Sequence, residues 1–162
     1  PTCSLKDLIG TDLVILFGTD LANNQPVSTK YLHFAKKAGT KILVVNPFRE
    51  PALERYWVPS VPSSALFGTK LMDEFFEVAP GGDIAFMHGV LKALKAIDNG
   101  FDRAFIAAHT EGLEALSSML EALDWEELSS ASGLPRGQME KFAQLYAASR
   151  HAVIANTQAC AG

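Results

Sequence analysis

The apolar positions of the chain fall into short unbroken runs, and between those runs they recur at helical spacing. Leu13-Val-Ile-Leu-Phe17 is apolar at every position and stops at Gly18. A run of that length predicts a strand buried on both faces, as in a parallel sheet. Ser28 or Thr29 then offers an N-cap. Tyr31, Phe34, Ala35 and Ala38 follow at helical spacing, and Gly39 is placed to end the helix. Lys41-Ile-Leu-Val-Val45 reads as the next buried strand. Residues 13–46 therefore predict one strand–helix–strand unit, with a right-handed crossover and parallel strands.

The rhythm breaks from 47 to 70, where Pro47, Pro51, Pro59 and Pro62 accompany Tyr56, Trp57 and Phe67. An irregular aromatic insert of that length is usually functional or packed against something. Phe75-Phe-Glu-Val78 predicts a short strand. After Pro80-Gly81-Gly82, Asp83 is an N-cap candidate for a helix with Ile84, Met87, Leu91 and Leu94 on one face. The pattern from Asp102 to His109 fits strand or helix equally. Leu113, Leu116, Leu120 and Leu123 form a further helical stripe. Pro135, expected at a first helical position, opens another with Met139, Phe142, Ala143 and Tyr146. Ala152-Val-Ile-Ala155 reads as a closing strand. Strands alternating with helices predict one α/β domain over 1–162, a Rossmann-like, doubly wound, mostly parallel sheet flanked by helices, with a helical second half over 83–150.

Charge narrows the class of partner. The net charge is −4; residues 1–81 hold eight basic and eight acidic side chains, and residues 82–162 six basic and ten acidic. With no basic block, a nucleic-acid footprint is not expected. No run of about 18 apolar residues is present, so no membrane span is expected. Cys3 and Cys160 sit near opposite ends without a CxxC, which fits a reduced, cytoplasmic setting and leaves no ligand set for structural zinc or an iron–sulfur cluster within these residues. Beginning at Pro1 close to a buried strand, the sequence reads as a piece of a longer protein.

Three segments carry candidate chemistry. Gly18-Thr19-Asp20 follows the first strand, Asn46-Pro47-Phe48-Arg49 the second, and Gly81-Gly82-Asp83 the third. Ligands of open α/β sheets bind beyond the carboxyl ends of the strands. Gly18 permits close backbone approach, Asp20 and Asn46 accept hydrogen bonds from sugar hydroxyls or base nitrogens, and Arg49 suits a phosphate. Asp83 opposes a phosphate at its helix start and suits hydroxyls or a guanine edge. Taken singly, such residues are ordinary turns and caps; their recurrence at neighbouring strand ends predicts a cleft. Neither GxGxxG nor GxxxxGK[ST] occurs. His33, His88, His109 and His151 include no i,i+4 pair and read as packing or surface residues, with His109-Thr110-Glu111 the one polar cluster able to face a cleft. Cys3 and Cys160 read as structural or free thiols. Trp57 and Trp125 read as packing anchors, and Glu121, Glu126 and Glu127 as a solvated face.

Gly18-Thr19-Asp20-Leu21-Ala22-Asn23-Asn24-Gln25-Pro26-Val27 resembles the "GxNPxxxHP" segment of molybdopterin oxidoreductases. Residues from Ala35 to Pro47 resemble the same family's "A++xGaKiivvDPR" segment, and Gly81-Gly82-Asp83-Ile84-Ala85 its "GtDiAl" helix start. The stretch from Phe105 to Leu113 is similar to "FixxxTeGFe" of formate dehydrogenase alpha subunits, and Ser132-Gly133-Leu134 to the "tGv" before the next helix. Order and spacing hold from about residue 12 to about residue 154. The insert from Arg49 to Lys70 is similar to the formate-dehydrogenase-like branch.

The resemblance implies a parent enzyme holding bis-molybdopterin guanine dinucleotide, with this segment gripping the guanosine diphosphate arm of one dinucleotide. It implies cofactor contacts at Gly18, Asp20 and Asn24, at Val45, Asn46 and Arg49, and at Gly81, Gly82 and Asp83, with no catalytic residue and no metal ligand in this segment. A 4Fe-4S cluster, where the parent has one, lies elsewhere. The remaining domains of the parent and an electron-transfer subunit are the implied partners, and the isolated segment is expected to be inactive, with an exposed sheet edge and some self-association. The sequence departs from the pattern at Asp20, Gln25 and Asn46, and Phe48 displaces the arginine by one position. Two other readings remain open: a free-standing nucleotide or NAD module, and a non-catalytic interaction domain docking through Tyr56, Trp57 and Phe67.

Overall fold

The computed structural model describes residues 4–19, 25–54 and 70–156. Asp20, Asn24, Cys3, Cys160, Pro59, Pro62 and the insert aromatics Tyr56, Trp57 and Phe67 lie outside the described residues. The chain divides into two compact units, Pro1–Glu77 with Arg150–Gly162, and Val78–Ser149.

In the first unit a 3-10 turn, Leu5–Leu8, precedes β1 (Leu13–Phe17), α1 (Pro26–Lys37), β2 (Lys41–Asn46), the short α2 (Pro51–Glu54), β3 (Glu74–Glu77) and β4 (Ala152–Asn156). The four strands run in the order β3-β2-β1-β4, and every adjacent pair is parallel. The unbroken apolar runs have a direct cause. Val14, Leu16, Ile42 and Val44 pack with Leu8, Leu32, Leu53, Leu71 and Met72. The alternate residues Leu13, Ile15, Leu43 and Val45, which project to the opposite face of the pleat, are buried as well. β4 departs from this. Ala152, Ile154 and Asn156 are exposed, Ile154 by 55%, and among the described residues β4 is paired on one side only. The sheet is the Rossmann-like α/β arrangement expected from the sequence.

α1 begins earlier than the cap signals suggested. Gln25 is its N-cap and Pro26 its first residue, a position where a missing N–H costs nothing and the fixed φ is already helical. Ser28 and Thr29 lie in the first turn, their hydroxyls donating back to the carbonyls of Gln25 (2.5 Å) and Pro26 (2.6 Å). The buried residues are Ser28, Thr29, Leu32, His33 and Ala35, while Phe34, expected on the core face, is exposed. The helix ends on Gly39 at φ +97°. The Gly39 N–H donates to Lys36 O and the Thr40 N–H to Ala35 O, a Schellman closure that places β2 beside β1.

The second unit comprises α3 (Asp83–Ala96), α4 (Arg103–His109), α5 (Leu113–Ala122), α6 (Trp125–Ser132) and α7 (Arg136–Ala147). The ambiguous 102–109 stretch is helical because the Asp102 side chain caps it through the Phe105 N–H at 2.9 Å. Two cap expectations shift by one residue: Gly82, not Asp83, is the N-cap of α3, and Pro135 is the N-cap of α7 rather than its first residue. α3 buries Phe86, Gly89, Val90, Ala93 and Leu94, leaving Ile84 71% exposed. Of the predicted stripe Leu94 is buried, and Ile84, Met87 and Leu91 give way to Phe86, Val90 and Ala93 because the packing pivot is Gly89, where a Cβ would stand 2.0 Å from Met139 Sδ. Phe86 meets Phe142 edge-to-face at 5.3 Å. Met139, Phe142 and Ala143 are buried as the stripe of α7 required, with Tyr146 at its rim.

Candidate functional site

The carboxyl ends of β1 and β2 are joined by backbone and side-chain hydrogen bonds. The Gly18 N–H donates to Val45 O at 2.9 Å, one step past the last ladder pair, Phe17↔Val45. Gly18 then turns the chain at φ +62°, in the region where L side chains are strained, and a Cβ built there would meet no atom of the described residues within 4 Å. The turn leaves Thr19 1% exposed. Asn46, the last residue of β2, is 3% exposed and Glu50, the residue before α2, is 4% exposed.

Both N–H groups of the Asn46 amide are engaged. Nδ2 donates to Thr19 O at 3.1 Å and to Glu50 Oε1 at 3.0 Å. Asn46 Oδ1 and the Thr19 hydroxyl oxygen are buried without a hydrogen bond among the described residues. Buried polar atoms are almost always partnered, so these two oxygens at the ends of adjacent parallel strands leave acceptor capacity for a hydrogen-bond donor. Hydroxyls and ring or exocyclic N–H groups meet that requirement; a fully ionised phosphate has none to give.

The strand order puts this notch where such folds bind ligands. The chain leaves β1 for β2 and β3 on one side, and β4 lies on the other, so the order reverses at β1. Gly18 and Thr19 follow β1 at this switch point. Asn156, opposite Phe17 in the register with β4, is exposed at the same end. Thr19 lies in the Gly18-Thr19-Asp20 segment that the sequence pointed to, without a role of its own there; Glu50 and Asn156 were not singled out, and of these two only Glu50 carries a signal, an acid in a stretch that continues an apolar strand end.

The other expected contacts fall as follows. The Val45 side chain is in the core, and its carbonyl is the acceptor for Gly18. The Arg49 guanidinium pairs with Glu54 at 3.0 Å and lies 4.8 Å over the Phe75 ring, so it is held by its own chain. Gly81, Gly82 and Asp83 belong to the second unit. Gly81 adopts φ +80°. Gly82 has a packing reason of its own: a Cβ there would be 2.6 Å from Ala131 O and 2.8 Å from Ser132 Cα. The turn is tied to the end of α6 by the Ala79 N–H to Ser132 O bond of 2.8 Å. Asp83 is exposed in the first turn of α3.

The histidines do not gather. His33 is buried, and loss of hydration, then the nearby Lys37 charge, lowers its pKa. His109 packs 4.7 Å from the Phe105 ring and Thr110 Oγ1 donates to Ile106 O. Two cations lie over the Trp125 ring, Lys92 Nζ at 5.6 Å and the Arg136 guanidinium at 4.8 Å. Among the described residues, no three His, Cys, Asp or Glu side chains are grouped so as to hold a metal, and no helix is long and apolar enough to cross a membrane.

Comparison with known proteins bears on the whole segment. "Protein YdeP" of Escherichia coli is 30% identical over 164 residues, covering 94% of this chain and 22% of the relative. Formate dehydrogenase H of the same species is 24% identical over 151 residues, covering 93% of this chain and 19% of that protein. The chain is similar to formate-dehydrogenase-like oxidoreductases of the molybdopterin family. It spans about a fifth of the length of these curated relatives. The fold of this chain is matched by acetylene hydratase from Pelobacter acetylenicus, with a TM-score of 0.72, 21% identity, and coverage of 91% of this chain and 18% of that one. No family model matches the chain.

Proposed function

We propose that this chain is the segment of a molybdopterin-dependent, formate-dehydrogenase-like oxidoreductase that holds the guanosine diphosphate arm of a molybdopterin guanine dinucleotide. One observation carries the reading: the two buried acceptor oxygens, Asn46 Oδ1 and Thr19 Oγ1, without a hydrogen bond among the described residues, at the carboxyl ends of adjacent parallel strands. They suit the neutral, donor-bearing part of the arm, its ribose hydroxyls or guanine edge. By the resemblance, Asp20, Asn24, Gly81, Gly82 and Asp83 belong to the same set of proposed cofactor contacts. Bound in the parent, the molybdenum–pterin group supplies two-electron redox chemistry, while this segment binds and orients. A 4Fe-4S cluster and an electron-transfer subunit, where the parent has them, a cytoplasmic setting and inactivity of the segment alone belong to the same reading.

Titration calorimetry of the chain with GDP and with NAD tests this. Saturable GDP binding stronger than NAD binding is expected. Preference for NAD would favour a free-standing dinucleotide module instead.

A further inference from the structure

Asn46 stands where the resembling family carries an aspartate, and a neutral amide has a weakness there: it can present either its oxygen or its nitrogen to a ligand. In this chain the choice is made from behind. Thr19 O and Glu50 Oε1 are both acceptors, and both face Asn46 Nδ2 at 3.1 and 3.0 Å. Rotating the amide by a half-turn would set Oδ1 against a carbonyl oxygen and a carboxylate oxygen, a repulsive arrangement in a site where Asn46 and Glu50 are almost wholly buried.

We propose that Glu50 is the positioning residue that fixes the Asn46 amide with Oδ1 forward, making the strand-end notch selective for a hydroxyl or N–H donor. The inference rests on the nucleotide-arm reading for the identity of that donor, but not for the orientation itself. Thr19 and Glu50 each take one of the two Asn46 N–H groups, but Thr19 does so through its main chain and Glu50 through its side chain, so Glu50 is the partner that residue choice supplies. Its backbone is set by the first turn of α2, where the Leu53 N–H donates to Glu50 O at 3.1 Å, four positions downstream of the amide it holds.

The experiment follows the Asn46 side-chain amide in proton–nitrogen correlation spectra of the full chain, with GDP as the added probe. In the unaltered chain both Nδ2 protons should be slow to exchange with solvent. Glu50→Ala should release one of them and weaken GDP binding about tenfold, the scale of one lost buried hydrogen bond. Glu50→Gln, whose side-chain oxygen still accepts, should keep the protected pair and bind GDP within about twofold of the parent, a rescue that a purely space-filling role does not require. The proposal is overturned if the Asn46 protons exchange freely in the unaltered chain, an observation that needs no variant to fold. It is equally overturned if Glu50→Ala leaves both those signals and GDP affinity unchanged. A chain that shows the protected amide yet binds no GDP would overturn the nucleotide-arm reading and leave the fixed amide standing.

Discussion

The Asp12 carboxylate accepts the main-chain N–H of His151 at 3.0 Å, across 139 positions of sequence. The same oxygen accepts the Arg150 N–H at 2.9 Å, and His151 O receives the N–H groups of Asp12 and Leu13 in return. One side chain therefore sets the start of β4 against the start of β1. These backbone hydrogen bonds, from His151 first and Arg150 second, hold the Asp12 pKa below its usual value. A lowered folded-state pKa means a contribution fully present above the usual aspartate range and lost as pH falls through the folded value. In thermal melts, Asp12→Ala should lower Tm at neutral pH, and the gap from the parent chain should close on acidification below the ordinary carboxylate range. A gap independent of pH would contradict this.

Gly89 sets the contact between α3 and α7. Alanine there gains about 1 kcal/mol of helix propensity but places a methyl inside the Met139 thioether, at 2.0 Å from Sδ in the present packing. Overpacking costs about 1–3 kcal/mol, so Gly89→Ala should be net destabilising by denaturant unfolding. In a Met139→Ala background the clash is gone, and the same change should turn stabilising. An unchanged sign in both backgrounds would show that the helices are not in this contact.

The Gly81-Gly82 pair should respond unequally to alanine. Gly81 has room for a Cβ and suffers only its φ of +80°, a strain of about 1 kcal/mol. Gly82 would drive a methyl against the backbone of Ala131 and Ser132, which cannot rotate away. Gly82→Ala should therefore unfold at distinctly lower denaturant than Gly81→Ala, with or without nucleotide present.

Much of the fold was legible because burial on both faces writes an unmistakable pattern. Leu13–Phe17 and Lys41–Val45 are apolar because the pleat has no wet side there. The helix phases were less legible. Phe34 and Ile84 are apolar yet exposed, while Ser28 and Gly89 are buried, since small residues permit close approach and only the packed structure shows where that approach occurs. The site was legible in outline: Gly18 and Asn46 fall at strand ends for reasons of topology. Thr19 and Glu50 were not, because their roles depend on hydrogen bonds made across 27 positions and four positions respectively, into a notch that exists only once β1 and β2 are paired.

β4 is a terminal strand of the sheet among the described residues. Ile154 is an aliphatic residue 55% exposed on a strand paired on one side among the described residues. Exposed edges of this kind associate, and a lysine blunts them. Sedimentation of the chain should show concentration-dependent self-association that Ile154→Lys reduces. Identical behaviour of the two would place any association elsewhere.

Thr19→Val separates stability from binding. The hydroxyl is buried and makes no hydrogen bond among the described residues, so replacing it with a methyl removes a desolvation cost of about 1–3 kcal/mol. Tm should hold or rise while GDP affinity falls severalfold, the trade expected of a group kept for a ligand. A drop in Tm with unchanged binding would make Thr19 structural.

The most direct test of the strand-end notch is the dissociation constant of GDP for the chain and for Asn46→Ala, measured by calorimetry on protein shown to be folded by circular dichroism. Loss of Oδ1 as an acceptor should weaken GDP about tenfold while leaving the far-ultraviolet spectrum intact. Equal GDP affinity in both folded proteins would contradict the assignment of this site.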